Sequence, residues 1–399
     1  MSSSVHKVGE DSVSTRGILF VIPLGERNGA TTSLLHFLRW FKANGRRPFS
    51  ILVARDGELT SEYAKLADTW PADRSHWCPG GTRARVLRSL GLGEWAQSGE
   101  RADLRKFARR CSPGLIYVNS GTSEGARLVE LLELRIPVLM HVHALEVFLH
   151  KEAGSSLPQV LSQAKQFIAC SGAVRENLIH RHRITPNRIE TVHESIPVSE
   201  VRSMRTRAEI LQELQLPDDA LLVAASGRLY AGKGADLFVQ LARTVCQQCS
   251  NAYFVWIGPP EEAAWFEHDV RLLGLEQKVR LTGTVRRSAD YLAAAEVFVL
   301  TSREDSFPLV CLEAAALRKP IVCFGDAGGM PEFVEEDCGF VVPYLDVAAM
   351  SHRVTWLLGS PECRLKMGEA ARRKVIERHD VSIAAPRIMD IIERTAVGG

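Results

Sequence analysis

Residues 220–245 read ALLVAASGRLYAGKGADLFVQLARTV. An apolar run of strand length enters a turn holding Gly227, Gly232 and Gly234, and the turn opens into a stretch with apolar residues at helical spacing. A strand passing through glycines into a helix is the opening unit of a nucleotide-type α/β domain. Glycine lets backbone approach a ligand closely, and a helix start offers unpaired N–H groups to an anion. Arg228 and Lys233 add two positive charges. The stretch reads either as a diphosphate site or as a plain strand-to-helix turn with two surface cations. Gly227 to Lys233 also fits the first part of a P-loop, G-x-x-x-x-G-K-[ST]. Gly234, however, stands where the Mg²⁺-ligating hydroxyl belongs, which weighs against an NTPase.

The same rhythm extends outward in both directions. GILFVIPL, PFSILVAR, GLIYVNS, PVLMHVHA and QFIACS alternate with helical stretches in the first half. ALLVAASG, NAYFVWIG, KVRLTG, VFVLTS, PIVCFG and CGFVVP do so in the second. Near-continuous apolar strands separated by helices indicate parallel sheets covered on both faces. The expected fold class is α/β, with two Rossmann-like doubly wound domains in tandem. The expected parts are a polar, disordered tail over 1–15, a first domain over 16–196 and a second over 197–380. A last helix over 381–399, around Pro386, would pack back toward the first domain.

The 399 residues are 46% hydrophobic and 24% charged, which excludes a disordered chain, a collagen and a coiled coil. No apolar run approaches the ~20 residues of a bilayer span, and the polar N-terminus lacks the apolar core of a secretory signal. A cytoplasmic protein is expected. The net charge of +2 argues against a nucleic-acid partner. It is uneven: residues 1–200 hold 26 Lys+Arg against 20 Asp+Glu, and the remainder 23 against 27. Arg83, Arg85, Arg88, Arg101, Arg105, Lys106, Arg109 and Arg110 form a dense basic cluster. It is either a solvated helix face or a patch facing anionic lipid or an anionic acceptor. Nine cysteines show no disulfide framework, and the Cys246-x-x-Cys249 pair lacks a second pair at zinc spacing.

Three further segments carry candidate chemistry. SREDSFPLVCLEAAALRKPIVCFGDAGGMPEFV, residues 302–334, places Asp305 in a loop after a strand and Glu313 about two turns further on. Between them Ser306, Phe307, Leu309 and Val310 offer amides at a helix start, while Pro308 has none to donate. Two carboxylates with exposed amides suit a hydroxyl-rich ligand; the alternative is a capping Asp305 and a surface glutamate. Gly25–Thr32 is the first strand-to-helix loop. His141-x-His143 ends a strand; one of the two would reach a substrate hydroxyl or phosphate, or they are core or structural histidines. With only Glu146 near, a zinc site is not expected. The chain contains neither an Asp-x-Asp metal clamp nor a G-x-S-x-G elbow.

Together these residues resemble family 4 of the retaining glycosyltransferases. The resemblance rests on GRLYAGKGADLFVQL, FVWIG, VRLTGTV, SREDSFPLVCLEAAALRKPIVCF and GGMPEFV with CGFVVP, and more loosely on NGATTSLLHFL, MHVHALE and FIACSGAVRENLI. It implies a GT-B fold, with two Rossmann-like domains facing across a cleft. The implied donor is a nucleotide sugar, UDP- or GDP-linked, with no other cofactor and no metal. Arg228 and Lys233 would hold the diphosphate, Glu313 the ribose, and Asp305 with the amides near Phe307 and Leu309 the transferred sugar. His143 would touch the sugar or reacting centre, with His141 the second choice. Gly29, Ala30, Asn119, Ser171, Gly227, Gly283, Pro308 and Val310 complete the expected binding set. The acceptor would be a saccharide or a lipid-linked saccharide, reached by peripheral contact of the basic first domain with an anionic membrane. A catalytically inactive sugar-nucleotide binder is the alternative. Two positions depart from the family pattern: Asp305-Ser306 replaces its usual Glu-Gly, and His193-Glu194-Ser195-Ile196 replaces its N-G-[IV].

Overall fold

The computed structural model describes residues 16–45, 47–70, 93–120 and 134–397. The expected tail, Arg83, Arg85 and Arg88, and most of the helical stretch EGARLVELLELR lie outside them. The chain divides into two compact units. The first runs to Ala169 and takes in Asn177–Val192 and the chain from Ala385; the second holds Cys170–Glu176 and His193–Ala384.

The first unit is built on seven parallel strands. They are β1 (Gly17–Leu24), β2 (Phe49–Arg55), β3 (Asp68–Trp70), β4 (Pro113–Asn119), β5 (Val138–Val142), β6 (Gln166–Ala169) and β7 (Ile189–Thr191), in the order β3-β2-β1-β4-β5-β6-β7. Ile18–Ile22 of β1 are buried throughout, as a strand covered on both faces must be. Phe20 meets Phe37 and Phe41 of the helix Gly29–Asn44 and Tyr117 of β4, with ring centroids 5.0–6.1 Å apart. Each such pair adds about 0.5–1.5 kcal/mol beyond area burial.

The second unit repeats the design with β8 (Leu221–Ser226), β9 (Ala252–Ile257), β10 (Val279–Leu281), β11 (Val297–Leu300), β12 (Ile321–Phe324) and β13 (Gly339–Val342). Their order is β10-β9-β8-β11-β12-β13, all parallel. Phe238 of the helix Ala235–Gln248 packs edge-on against Phe254 and Trp256 of β9 at 5.4 and 5.2 Å. Both sheets thus contain the Rossmann order 3-2-1-4-5-6, and the strand order reverses between β1 and β4 and between β8 and β11. Ligands of such sheets bind beyond the carboxyl ends of the strands at these reversals.

The helix Val381–Val397 runs on through Pro386. Its later part belongs to the first unit, where the buried Arg47 donates to both carboxylate oxygens of Glu393 at 2.7 and 2.5 Å. Arg394 adds an ion pair to Glu190 at 2.8 Å. Among the described residues, no helix is long and apolar enough to cross a membrane.

Candidate functional site

Gly227–Gly234 lies where the second unit's strand order reverses. Its last part is a 3₁₀ turn, Ala231–Lys233, ended by Gly234 at φ +71°. A Cβ on Gly234 would lie 1.9 Å from the Thr301 carbonyl oxygen, so the turn docks on the end of β11 only because that residue is glycine. Polar bonds fix the dock: Thr301 Oγ1 donates to the Lys233 carbonyl and the Arg303 amide to that of Gly232, both at 3.0 Å. The Arg303 guanidinium grips both Asp236 oxygens at 2.8 Å and donates to the Ala231 carbonyl at 2.6 Å.

Held this way, Lys233 Nζ donates to Asp305 Oδ2 at 2.5 Å, and Ser302 Oγ donates to the same oxygen at 3.1 Å. Burial pulls the Lys233 ammonium down, but the Asp305 carboxylate outweighs it and holds the pKa above the ordinary lysine value. Asp305 is anchored through its own amide, which donates to Ala327 at 2.7 Å. The sequence assigned Lys233 and Asp305 to different parts of a ligand; the structure joins them directly. Arg228 is more exposed and pairs with Glu261 at 3.0 Å.

The helix Leu309–Ala316 starts four residues beyond Asp305, with Pro308 at its N-cap and no side chain capping it. First-turn amides such as those of Leu309 and Val310 have no partner within a helix. Glu313 is its fifth residue; burial raises its carboxyl pKa, opposed by a hydrogen bond from Ser288 Oγ at 3.2 Å. The fully buried Cys311 lies two residues before Glu313 on the same helix; burial, then the Asp305 carboxylate, pushes its thiol pKa well up. The Phe307 ring is buried against His193 and His379, so what it offers a ligand is backbone.

Gly227, Gly258 and Gly283 follow β8, β9 and β10 and form a ledge along the carboxyl edge of the sheet. The Gly258 amide donates to Gly283 at 3.1 Å, and Trp256 Nε1 donates to the Gly227 carbonyl at 2.9 Å. A Cβ on Gly258 would meet that carbonyl oxygen at 2.1 Å. Ser171, expected at the ligand, has no exposed surface; its hydroxyl caps the Val174 amide at the start of the helix Gly172–His180.

In the first unit, Asn119 ends β4 and ties two candidates together. Its Nδ2 donates to the Ala30 carbonyl at 3.0 Å, so its Oδ1 accepts from His143 Nε2 at 2.9 Å. His143 therefore carries a proton on Nε2. His141 lies beneath it, 4% exposed, with ring centroids 3.9 Å apart and a 2.6 Å hydrogen bond to the Tyr117 hydroxyl. Burial, then the neighbouring His143, holds its pKa well below the usual histidine value. Its Nε2 is buried with no hydrogen-bond partner among the described residues. Asn28 caps the helix Gly29–Asn44 in a reciprocal box with Thr31. Nothing lies within 4 Å of a Cβ built on Gly29, so the fold itself does not require glycine there. Glu146 accepts from His150 and His182 at 2.8 and 2.9 Å instead of joining His141 and His143.

Sequence reading missed Arg303, Glu261, Asn119's bridging role and Glu332. Glu332 accepts from the Gly172 and Ala173 amides at 2.8 and 2.9 Å and from His193 Nε2 at 2.8 Å. His193, a departure from the family pattern, thus has a structural partner. Burial would raise the Glu332 pKa, but these donors lower it.

The family model described as Glycosyltransferase Family 4 matches residues 27–200, and Glycosyl transferases group 1 matches residues 206–374. A D-inositol 3-phosphate glycosyltransferase of Streptomyces avermitilis is 26% identical over 227 residues, 54% of this chain and 49% of its own length. An alpha-D-kanosaminyltransferase of Streptomyces kanamyceticus is 28% identical over 46% of this chain and 48% of its own. The chain thus spans about half the length of these curated relatives. A crystal structure of Anabaena Alr3699/HepE in complex with UDP aligns over 95% of this chain and 100% of its own, with a TM-score of 0.76 and 18% identity. WaaG, a glycosyltransferase involved in lipopolysaccharide biosynthesis, aligns over 94% of this chain and 99% of its own with a TM-score of 0.68 and 13% identity. These likenesses show the GT-B fold. With both halves matched in order and each unit carrying the same strand reversal, the chain belongs to the family 4, group 1 glycosyltransferases.

Proposed function

We propose that the protein is a retaining, metal-independent glycosyltransferase that moves a sugar from a nucleoside-diphosphate sugar to a hydroxyl of a saccharide or lipid-linked acceptor. We assign it to cell-surface polysaccharide or glycoconjugate synthesis. The observation that carries the reading is the direct contact of Lys233 with Asp305 where β8 and β11 part, just before the uncapped start of the helix that bears Glu313. Cation and amides suit a diphosphate, and the carboxylates suit sugar and ribose hydroxyls. HepE, whose crystal structures hold UDP and UDP-glucose, makes a UDP-linked donor the first to test.

In this mechanism Lys233 leaves Asp305 for the diphosphate, and Asp305 is freed for a sugar hydroxyl. The acceptor hydroxyl attacks the anomeric carbon on the face from which the diphosphate departs. The C–O bond to phosphate breaks, the new glycosidic bond forms, and the leaving phosphate oxygen takes the acceptor's proton. No covalent protein intermediate is needed. The residues position the donor and stabilise the departing charge. In the first unit, His143 and the open space at Gly29 are the substrate-facing positions. The test is a transfer assay with UDP- and GDP-sugars in EDTA. The reading requires turnover with retained anomeric configuration, lost in Glu313→Ala. Donor binding without transfer to any acceptor class would leave a binding protein; metal-dependent turnover would contradict the mechanism.

A further inference from the structure

We propose that Glu261 is a positioning residue for the donor's diphosphate, a resident carboxylate that competes with it for Arg228. The inference rests on the reading of Gly227–Gly234 as the diphosphate turn. Pro259-Pro260-Glu261-Glu262, which follows β9, is laced onto that turn by backbone bonds. Leu229 N–H donates to the Pro259 carbonyl and Glu262 N–H to the Leu229 carbonyl, each at 2.9 Å. Two prolines restrict the loop's backbone. On this scaffold the Glu261 carboxylate accepts from Arg228 Nη1 at 3.0 Å, and the Glu262 carboxylate accepts from the Ala231 amide at 3.0 Å. A guanidinium and a backbone amide are the donors suited to phosphate oxygens, and here both meet carboxylates.

The contrast with Arg303 sets the two interactions apart. Arg303 is bidentate to Asp236 and also bound to the Ala231 carbonyl, so three hydrogen bonds tie it to the turn. Arg228 meets Glu261 through Nη1, with side chains 43% and 45% exposed. An exposed pair is weak, so a diphosphate of higher charge displaces Glu261. When the diphosphate leaves, Glu261 recovers Arg228. The pair therefore costs affinity for product and speeds its release.

The test is Glu261→Gln, which keeps shape and removes charge, made in wild-type and Arg228→Ala backgrounds. Calorimetric titration uses UDP and inorganic pyrophosphate at one fixed low ionic strength. Glu261→Gln should melt like wild type and bind both probes threefold to fivefold more tightly. In the Arg228→Ala background it should change neither affinity. Unchanged or weaker binding in Glu261→Gln overturns the inference alone. So does an equal gain without Arg228, which would be charge acting at a distance. Binding of neither probe by wild type or variant overturns the diphosphate reading and this inference together.

Discussion

Lys233 and Gly29 show how differently single residues enter the account. Lys233 meets partners 68 and 72 positions away at the end of β11, so its chemistry emerges only on folding. Gly29 has no structural duty: its Cβ position is open, and its backbone lies in an ordinary helix start. Gly29→Ala should therefore leave the melting temperature within about 1 °C and raise the KM for substrate severalfold. An unchanged KM would remove Gly29 from the site. His379 makes a prediction about pH. Burial drops its pKa to about 4, so it is neutral in the folded protein and titrates near 6.5 once unfolded. Above about pH 6.5 it costs nothing. As pH falls from there toward 4 the unfolded chain binds the extra proton, and stability falls by on the order of 3 kcal/mol. Denaturant melts across that range should show the slope in wild type and a shallower one in His379→Gln. Identical slopes would refute it. Glycine turns, carboxylates and histidines were legible as residue types. Glu261 and Arg303 were not, because their partners Arg228 and Asp236 lie 33 and 67 residues distant and a surface acid or base has no sequence mark.

At the level of elements, the apolar runs identified both sheets because strands buried on two faces leave a near-continuous hydrophobic signature. β3 and β7, of three residues each, are too short to carry such a signature. Helix anchoring was also unreadable in advance. Lys374, on the helix Pro361–His379, is buried with its ammonium on the Phe333 carbonyl at 3.0 Å, Glu335 at 2.9 Å and Asp337. The two acids are half-exposed. Removing the cation leaves acids that water can solvate, whereas removing the acids strands a buried charge. Lys374→Met should therefore cost about 1–2 kcal/mol, and Glu335→Gln with Asp337→Asn about 3–5 kcal/mol. Urea denaturation measures both; the reverse ranking would show that burial does not control this anchor.

For the whole molecule, the two strand-order reversals locate the candidate residues better than any motif. Lys233 and Asp305 follow β8 and β11, Gly29 follows β1 and Asn119 ends β4, in units of like topology. Charge is divided as well, with the positive excess in residues 1–200. Of the basic cluster, Lys106 and Arg109 are exposed while Arg110 pairs with Asp68 at 2.6 Å. If the proposed peripheral contact operates through this face, Lys106→Glu with Arg109→Glu should lower co-sedimentation with phosphatidylserine vesicles at low salt at least threefold. No binding by wild type would leave a soluble acceptor. The central claim is that side-chain cations and amides, without a divalent ion, grip the donor's pyrophosphate. Calorimetric titration of UDP into wild type and Lys233→Ala, each with EDTA and with Mg²⁺, tests it most directly. The account predicts wild-type affinities equal within twofold in the two buffers and at least a hundredfold loss in Lys233→Ala. Binding that needs Mg²⁺, or that survives intact in Lys233→Ala, would contradict it.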